Sequence, residues 1–371
     1  MTSTNWHPAL KKLLAHMPRV NAADLYMVKD SPPVFRIDGV GYPAKESLDP
    51  AWLAGMADSL MSATQREEFE DVSEMNLALD FEGVGRFRAS IFRQRGSVGM
   101  VFRLVRSEIL SLDELGHPAV LKDVACTKRG LVLLVGGTGS GKSTTLAAMI
   151  DHRNQTGTGH ILTVEDPVEY IHPHKKCVVS QREVGTDTAS YSAALKSSLR
   201  QAPDVILIGE IRDLETMEAA IAFAETGHLC LSTLHANNAN QALERILNFF
   251  PAQRHHEILA QLSMNLRGVI SQRLVPCKTG GRVAALEIML DTPRIKALIE
   301  RGEVDVIKDA MEQGKNEGCQ TFDSALFELL KARRISGSDA LAAADSPNNL
   351  RIRIDRLKGG QASGSALRLL T

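Results

Sequence analysis

The stretch Gly136-Gly-Thr-Gly-Ser-Gly141-Lys142-Ser143-Thr144 holds the residues whose types and spacing point most directly to chemistry. Glycine has no Cβ, so a chain this rich in it can curl until several backbone N–H groups converge on one anion. Gly137, Thr138, Gly139, Ser140, Gly141, Lys142, Ser143 and Thr144 are therefore the expected cradle of a polyphosphate. Lys142 would set its ammonium on the β- and γ-phosphates and the Ser143 hydroxyl would ligate Mg²⁺. The helix that follows would add the positive end of its dipole.

Two acidic stretches could serve such a loop. Asp204-Val-Ile-Leu-Ile-Gly-Glu210 is an apolar run that delivers an acid at its carboxyl end, where open α/β sheets hold their ligands. Glu210 is expected to hold the Mg²⁺ shell or the attacking water; the plainer alternative is a strand-end acid paired with Arg212. Ile161-Leu-Thr-Val-Glu165-Asp166-Pro167-Val-Glu169 gathers three carboxylates after a second apolar run. That much negative charge calls for a cation nearby. Glu169 and Glu165 are the candidates to activate water, and spacing does not choose between them.

Gly227-His228-Leu-Cys-Leu-Ser-Thr233-Leu-His235 adds polar groups to a third apolar run. Thr233, His235 and His228 could sense a phosphate through hydrogen bonds and couple its loss to movement. His228 equally suits a structural role. Upstream, Arg86, Arg88, Arg93, Arg95, Arg103 and Arg106 have no matching run of acids. A cation lent to the phosphates by another domain or subunit accelerates transfer by about 10³- to 10⁵-fold. The competing reading is a nucleic-acid groove, for which only Phe87, Phe92 and Phe102 offer interleaved aromatics.

Positioning these groups requires strands that end together. Leu131–Val135, His160–Val164, Val205–Ile208 and His228–Thr233 read as buried strands separated by helical segments, the pattern of a mostly parallel sheet covered on both faces. The chain from Gln253 to Val275 reads as helical, Arg282–Leu290 as a late strand, and Pro293–Leu357 as helical again. Before the loop, Leu10, Leu13 and Leu14 recur at helical spacing, and Ala51–Phe69 reads as one helical stretch. Leu25–Val28, Val34–Ile37, Asn76–Phe81, Gly85–Arg93 and Gly99–Val105 read as strands, with Asp38-Gly39 as a hairpin signal. The expected fold is α/β: a small α+β domain over residues 1–108, a linker over 109–120, a P-loop domain over 121–357, and a flexible tail over 358–371.

The 371 residues carry 43 basic and 44 acidic side chains and are 44% hydrophobic, enough for sizeable cores. A net charge of −1 gives no bulk reason to expect nucleic acid or an anionic membrane as partner. The five cysteines are scattered without a Cys-x-x-Cys pair, which signals neither a disulfide framework nor a zinc site and fits a reducing cytoplasm. There is no secretory leader and no apolar run near 18 residues, so membrane association is expected only through a partner.

Taken together, these segments resemble the secretion-type motor ATPases, and among them the PilT/PilU-type retraction motors of type IV pili. Gly136–Ser143 matches that family's Walker A, Thr163–Glu169 its Asp box, Val205–Asp213 its Walker B and Gly227–His235 its His box. Ala23-Asp24-Leu25, Pro33-x-x-Arg36-x-Asp38-Gly39, Val269–Pro276 and Gln320-Thr-Phe-Asp323 extend the likeness over nearly the whole chain. The resemblance implies a PAS-like N-terminal domain, a homohexameric ring, ATP with Mg²⁺ as cofactors, and a P-loop completed by arginines such as Arg88 and Arg103 from a neighbouring chain. It also implies partners at the inner-membrane base of the pilus: a platform protein and a PilT-type motor. The extension and type II secretion relatives carry a tetracysteine insertion and a longer N-terminal region, so their lack here favours retraction. Pro293-Arg-Ile-Lys-Ala-Leu-Ile-Glu300 and Ala344-Asp345-Ser-x-Asn-x-Leu350-Arg351 draw the chain toward the PilU-type accessory motors. Two other readings stand beside this one, a nucleotide-binding partner with little turnover of its own and a nucleic-acid translocase.

Overall fold

In the computed structural model the described residues are 7–37, 39–45, 47–81, 83–105 and 108–361. They divide into two compact units, one reaching Glu108 and including 169–171, the other holding Ile109–Val168 and the chain from His172 onward.

The first unit is built on alternation. Helix α1 (Pro8–Arg19) leads to β1 (Asp24–Met27), β2 (Val34–Ile37) and β3 (Val40–Pro43), and α2 (Pro50–Leu60) and α3 (Ala63–Val72) lead to β4 (Glu74–Phe81), β5 (Gly85–Gln94) and β6 (Ser97–Val105). All the pairings are antiparallel, in the order β3-β2-β1-β6-β5-β4. One face buries Leu25, Met27, Phe87, Ile91, Met100 and Phe102 against Leu10, Leu14 and Met17 of α1 and Leu53 and Met56 of α2. Arg86, Arg88 and Arg103 lie on the opposite face, as strands with period 2 require. Arg93 instead shares the face of Phe87 and Ile91, where it pairs with Glu70 and stands over the Phe69 ring. The expected single helix over 51–69 is two, because Ser62 starts α3 with a capping box closed by Gln65. Ile37 and Val40 pair across the hairpin, whose Gly39 has φ 85°. Asp38 and Arg106 lie outside the described residues.

The second unit opens with α4 (Val120–Ala125), β7 (Gly130–Val135), α5 (Lys142–Thr156), β8 (Gly159–Glu165) and β9 (Cys177–Glu183). It continues with α6 (Tyr191–Ser198), β10 (Val205–Ile208), α7 (Leu214–Glu225), β11 (Leu229–Leu234), α8 (Ala239–Asn248), α9 (His255–Asn265), β12 (Leu266–Pro276) and β13 (Arg282–Leu290). Helices α10 (Pro293–Glu300), α11 (Ile307–Gln313), α12 (Phe322–Lys331), α13 (Gly337–Ala343) and α14 (Pro347–Gln361) complete it. The seven strands run β13-β12-β7-β11-β10-β8-β9, parallel except for β13.

Every residue of β7 is buried, because both faces are covered. Leu131, Leu133 and Val135 face α7, α8 and α9, while Val132 and Leu134 face α4 and α5. Three expectations change. The chain from Gln253 to Val275 is not helical throughout: α9 stops at Asn265 and β12 follows, because it pairs with β7. The stretch 109–120 is anchored to this unit through Leu112, which is buried in the core with Leu121. Helix α14 runs on to Gln361, and residues 362–371 lie outside the described residues.

Two buried histidines set a pH limit on this unit. Burial lowers His117 and His172 from the ordinary 6.5 to about 4, so both stay neutral in the fold. The unfolded chain takes up protons below about pH 6.5 while the folded one does not, so stability is full above that pH and is lost as pH falls towards 4. At pH 5 the loss is about 2 kcal/mol per histidine. Urea midpoints measured at pH 7.5 and pH 5 should fall accordingly, and the fall should flatten in the variant carrying His117→Gln and His172→Gln; an equally steep fall there would contradict it.

Candidate active site

The phosphate loop leaves the carboxyl end of β7 and turns directly into α5. Gly136, Gly139 and Gly141 have φ of 155°, 74° and 87°, values a side chain resists. Space demands glycine as well: a Cβ on Gly136 would lie 2.6 Å from the Gln272 carbonyl oxygen, and one on Gly141 would lie 2.7 Å from Gln272 Nε2. The loop is therefore pressed onto β12. Lys142 Nζ bridges the loop, donating to the carbonyls of Gly136 at 2.9 Å and Gly137 at 3.0 Å. Gly141 caps α5 without a side-chain hydrogen bond, so the first-turn N–H groups of the helix remain available to an anion. Ser140 Oγ is buried with no hydrogen-bond partner. An open helix terminus, a lysine laid across it and an orphaned hydroxyl all fit a polyphosphate.

Strand registers bring the other predicted groups to the same edge. Val135 pairs with Leu234 of β11, and Ser232 pairs with Ile208 of β10, which pairs in turn with Val164 of β8. Gly136, His235, Glu210 and Glu165 thus emerge from the carboxyl ends of neighbouring strands. The Glu210 side chain is 16% exposed and has both oxygens engaged: Oε1 lies 2.9 Å from His235 Nε2, and Oε2 accepts from Arg212 at 2.6 Å. That contact holds the Arg212 guanidinium above its ordinary pKa. Arg212 also stands 4.0 Å from Asp166 and so spreads one cation over two acids. Behind them, Thr233 donates to the Gly209 carbonyl at 2.7 Å and Ile211 N–H donates to the Thr233 carbonyl at 2.9 Å. The turn that carries Glu210 is fixed by the strand that carries His235.

Glu165 is buried and accepts from the Thr163 hydroxyl at 2.7 Å. Glu169 is exposed beyond the end of β8. Among the described residues no group of three His, Cys, Asp or Glu side chains forms a metal cage. Mg²⁺ in phosphoryl-transfer sites takes most of its ligands from water and phosphate oxygens, so a hydroxyl at Ser143 with the carboxylate of Glu210 on the same sheet edge suits it.

His228 is not brought to this edge. It precedes β11, at the opposite end of the strand, where Nδ1 lies 3.0 Å from Thr226 Oγ1 and 3.2 Å from the Phe223 carbonyl. Six strand residues separate it from His235, roughly 20 Å at the usual strand rise, so its contacts are structural. Arg88 and Arg103 belong to the first unit, directly opposite each other on β5 and β6. Arg103 donates to Asp24 at 2.7 Å and Arg36 stands 3.5 Å from the same carboxylate, which is buried, yet the Arg103 side chain is 62% exposed. The hydrogen bond that Arg103 donates to Asp24 raises its pKa, so the guanidinium stays charged. Sequence reasoning missed His117, Thr145 and Gln272, which lie beneath the loop.

A loop of this kind, one strand removed from the acid's strand, places the chain among the P-loop nucleotide hydrolases. Residues 70–332 match the family model described as type II/IV secretion system protein. The chain is 51% identical over 346 residues to the type IV pilus ATPase PilU of Pseudomonas aeruginosa, covering 93% of this chain and 91% of that one. It is 43% identical to the retraction ATPase PilT of the same organism, covering 92% and 99%. A crystal structure of the pilus retraction motor PilT with bound ADP aligns with a TM-score of 0.86 at 40% identity, covering 92% of this chain and 98% of that one. The chain belongs to the type II/IV secretion family and, within it, to the PilT/PilU-type retraction ATPases.

Proposed function

We propose that this ATPase works as a homohexameric, Mg²⁺-dependent motor that powers type IV pilus retraction as a PilU-type accessory to a PilT-type motor. The observation that carries it is the sheet edge on which the phosphate loop, Glu210 and His235 meet, in a chain 51% identical to PilU. Lys142 and the first-turn N–H groups of α5 hold the phosphates, with Ser143 toward the metal. When bound, Mg²⁺ would supply positive charge against that developing on the transferring phosphoryl group. Glu210 orients the attacking water and accepts its proton, with Glu165 lending negative charge on the same sheet edge. His235 is hydrogen-bonded to that carboxylate and shifts when it does, which couples turnover to β11 and the helix beyond it.

Arg88 and Arg103 of a neighbouring protomer supply the cations that complete the site. The ring sits in the cytoplasm at the inner-membrane pilus base and is held there by a platform protein; no helix among the described residues is long and apolar enough to span a membrane. Nucleic acid has no part in this reading.

Steady-state phosphate release by the purified chain, with and without a PilT-type protein, tests it. Turnover that requires Mg²⁺, is indifferent to DNA and rises with the partner is expected. A protein that binds ATP but hydrolyses none under either condition would instead be the non-hydrolysing partner.

A further inference from the structure

Beneath the phosphate loop runs a chain of hydrogen bonds whose polarity is fixed at every link. Gln272 Nε2 donates to the Ser140 carbonyl at 2.8 Å. The Thr145 hydroxyl donates its one proton to Gln272 Oε1 at 2.7 Å. His117 Nε2 lies 2.8 Å from Thr145 Oγ1, which must then accept from it, so the ring carries its proton on Nε2. His117, Thr145 and Gln272 are 8%, 1% and 3% exposed, so no water stands in for a lost partner, and each unmatched group would be costly.

The last acceptor gives the chain its consequence. Ser140 C=O and Gly141 N–H belong to one peptide, and that peptide is trans. In a trans peptide the carbonyl and the N–H point to opposite sides. Holding the carbonyl down onto Gln272 therefore aims the Gly141 N–H away from β12, towards the mouth of the loop. Gly141 makes this possible, since a Cβ there would lie 2.7 Å from Gln272 Nε2 and push it away.

We infer that Gln272, held by Thr145 and His117, is a positioning residue that pre-sets the Gly141 N–H for nucleotide phosphate. Its parts come from the segment before α4, from α5 and from β12. The relay has meaning only if the loop binds ATP as proposed above. A preset donor acts on ground-state and transition-state phosphate alike, so its loss weakens affinity more than turnover.

The test titrates the full chain with a fluorescent ATP analogue and measures hydrolysis at saturation. Thr145→Val is isosteric and breaks both bonds of Thr145; it should raise Kd about tenfold while kcat falls less than about threefold. Thr145→Ser keeps the hydroxyl and should restore the wild-type Kd, and Gln272→Met should match Thr145→Val. Thermal melting without nucleotide separates these effects from lost folding. A Kd for both Thr145→Val and Gln272→Met equal to wild type would overturn the inference, as would a Thr145→Ser variant as weak as Thr145→Val. Failure of the wild-type chain to bind the analogue would overturn the nucleotide reading instead.

Discussion

Lys142→Ala should leave a folded protein whose ATP hydrolysis falls by at least about 10²- to 10³-fold, the usual cost of one preorganised donor at a developing charge. Folding should survive because the lysine's two bonds to Gly136 and Gly137 end on loop carbonyls, outside the cores that hold β7 and α5. The loss should fall on kcat as well as on affinity. On the proposed reading the ammonium would meet the β- and γ-phosphates, between which negative charge redistributes during transfer. Phosphate release and a circular-dichroism melt on the same sample check both halves. Hydrolysis within tenfold of wild type would remove Lys142 from the chemistry and leave the loop as a binding turn.

That prediction was available from the sequence because the loop lies between two unmistakable elements. The run Leu131–Val135 is apolar throughout since both its faces are covered, and the same holds for β10; β11 is equally buried and breaks the apolar run only at Ser232 and Thr233. The strand β12 is buried over its central residues 268–272, yet its sequence reads as helix. Leu259, Leu262, Leu266, Val269 and Ile270 keep helical spacing across the junction, so periodicity continues where the hydrogen bonding changes. What ends α9 is pairing with β7, a contact between residues more than a hundred positions apart. The edge strand β9 was missed for the opposite reason: Val178 is exposed and only one face of the strand is covered.

The candidate site divides along the same line. Groups that follow a strand's end were legible, since that end is a local signal; Glu210 and His235 are of this kind, and Lys142 is marked by the glycine-rich loop that opens α5. His228 shares the motif but begins its strand, and only the direction of β11 in the parallel sheet shows which histidine reaches the loop. His117 and Gln272 carry no local signal at all. They approach Thr145 from 28 and 127 positions away, one from a stretch that reads as linker and the other from a strand that reads as helix. The break between α2 and α3 could have been found, because Ser62 and Gln65 have the spacing of a capping box.

Glu210→Gln should bind ATP within about threefold of wild type and turn it over about 10²- to 10⁴-fold more slowly, the range for loss of a general base. Affinity should hold because Glu210 contacts Arg212 and His235, while the proposed phosphate contacts are those of Lys142 and the α5 terminus. The amide keeps the shape of the acid but cannot accept a proton from water. It also cannot accept from His235 and Arg212 with both of its terminal atoms, since one of them is now a donor. The histidine should therefore lose its grip on the same group, and His235→Ala added to Glu210→Gln should cost little more than Glu210→Gln alone, as for residues that act as a unit. Single-turnover hydrolysis with saturating ATP on the two single variants and the double variant measures this. If binding disappears in Glu210→Gln, the carboxylate holds the loop edge together rather than activating water. If the two losses multiply, His235 acts on the phosphate directly and not through Glu210.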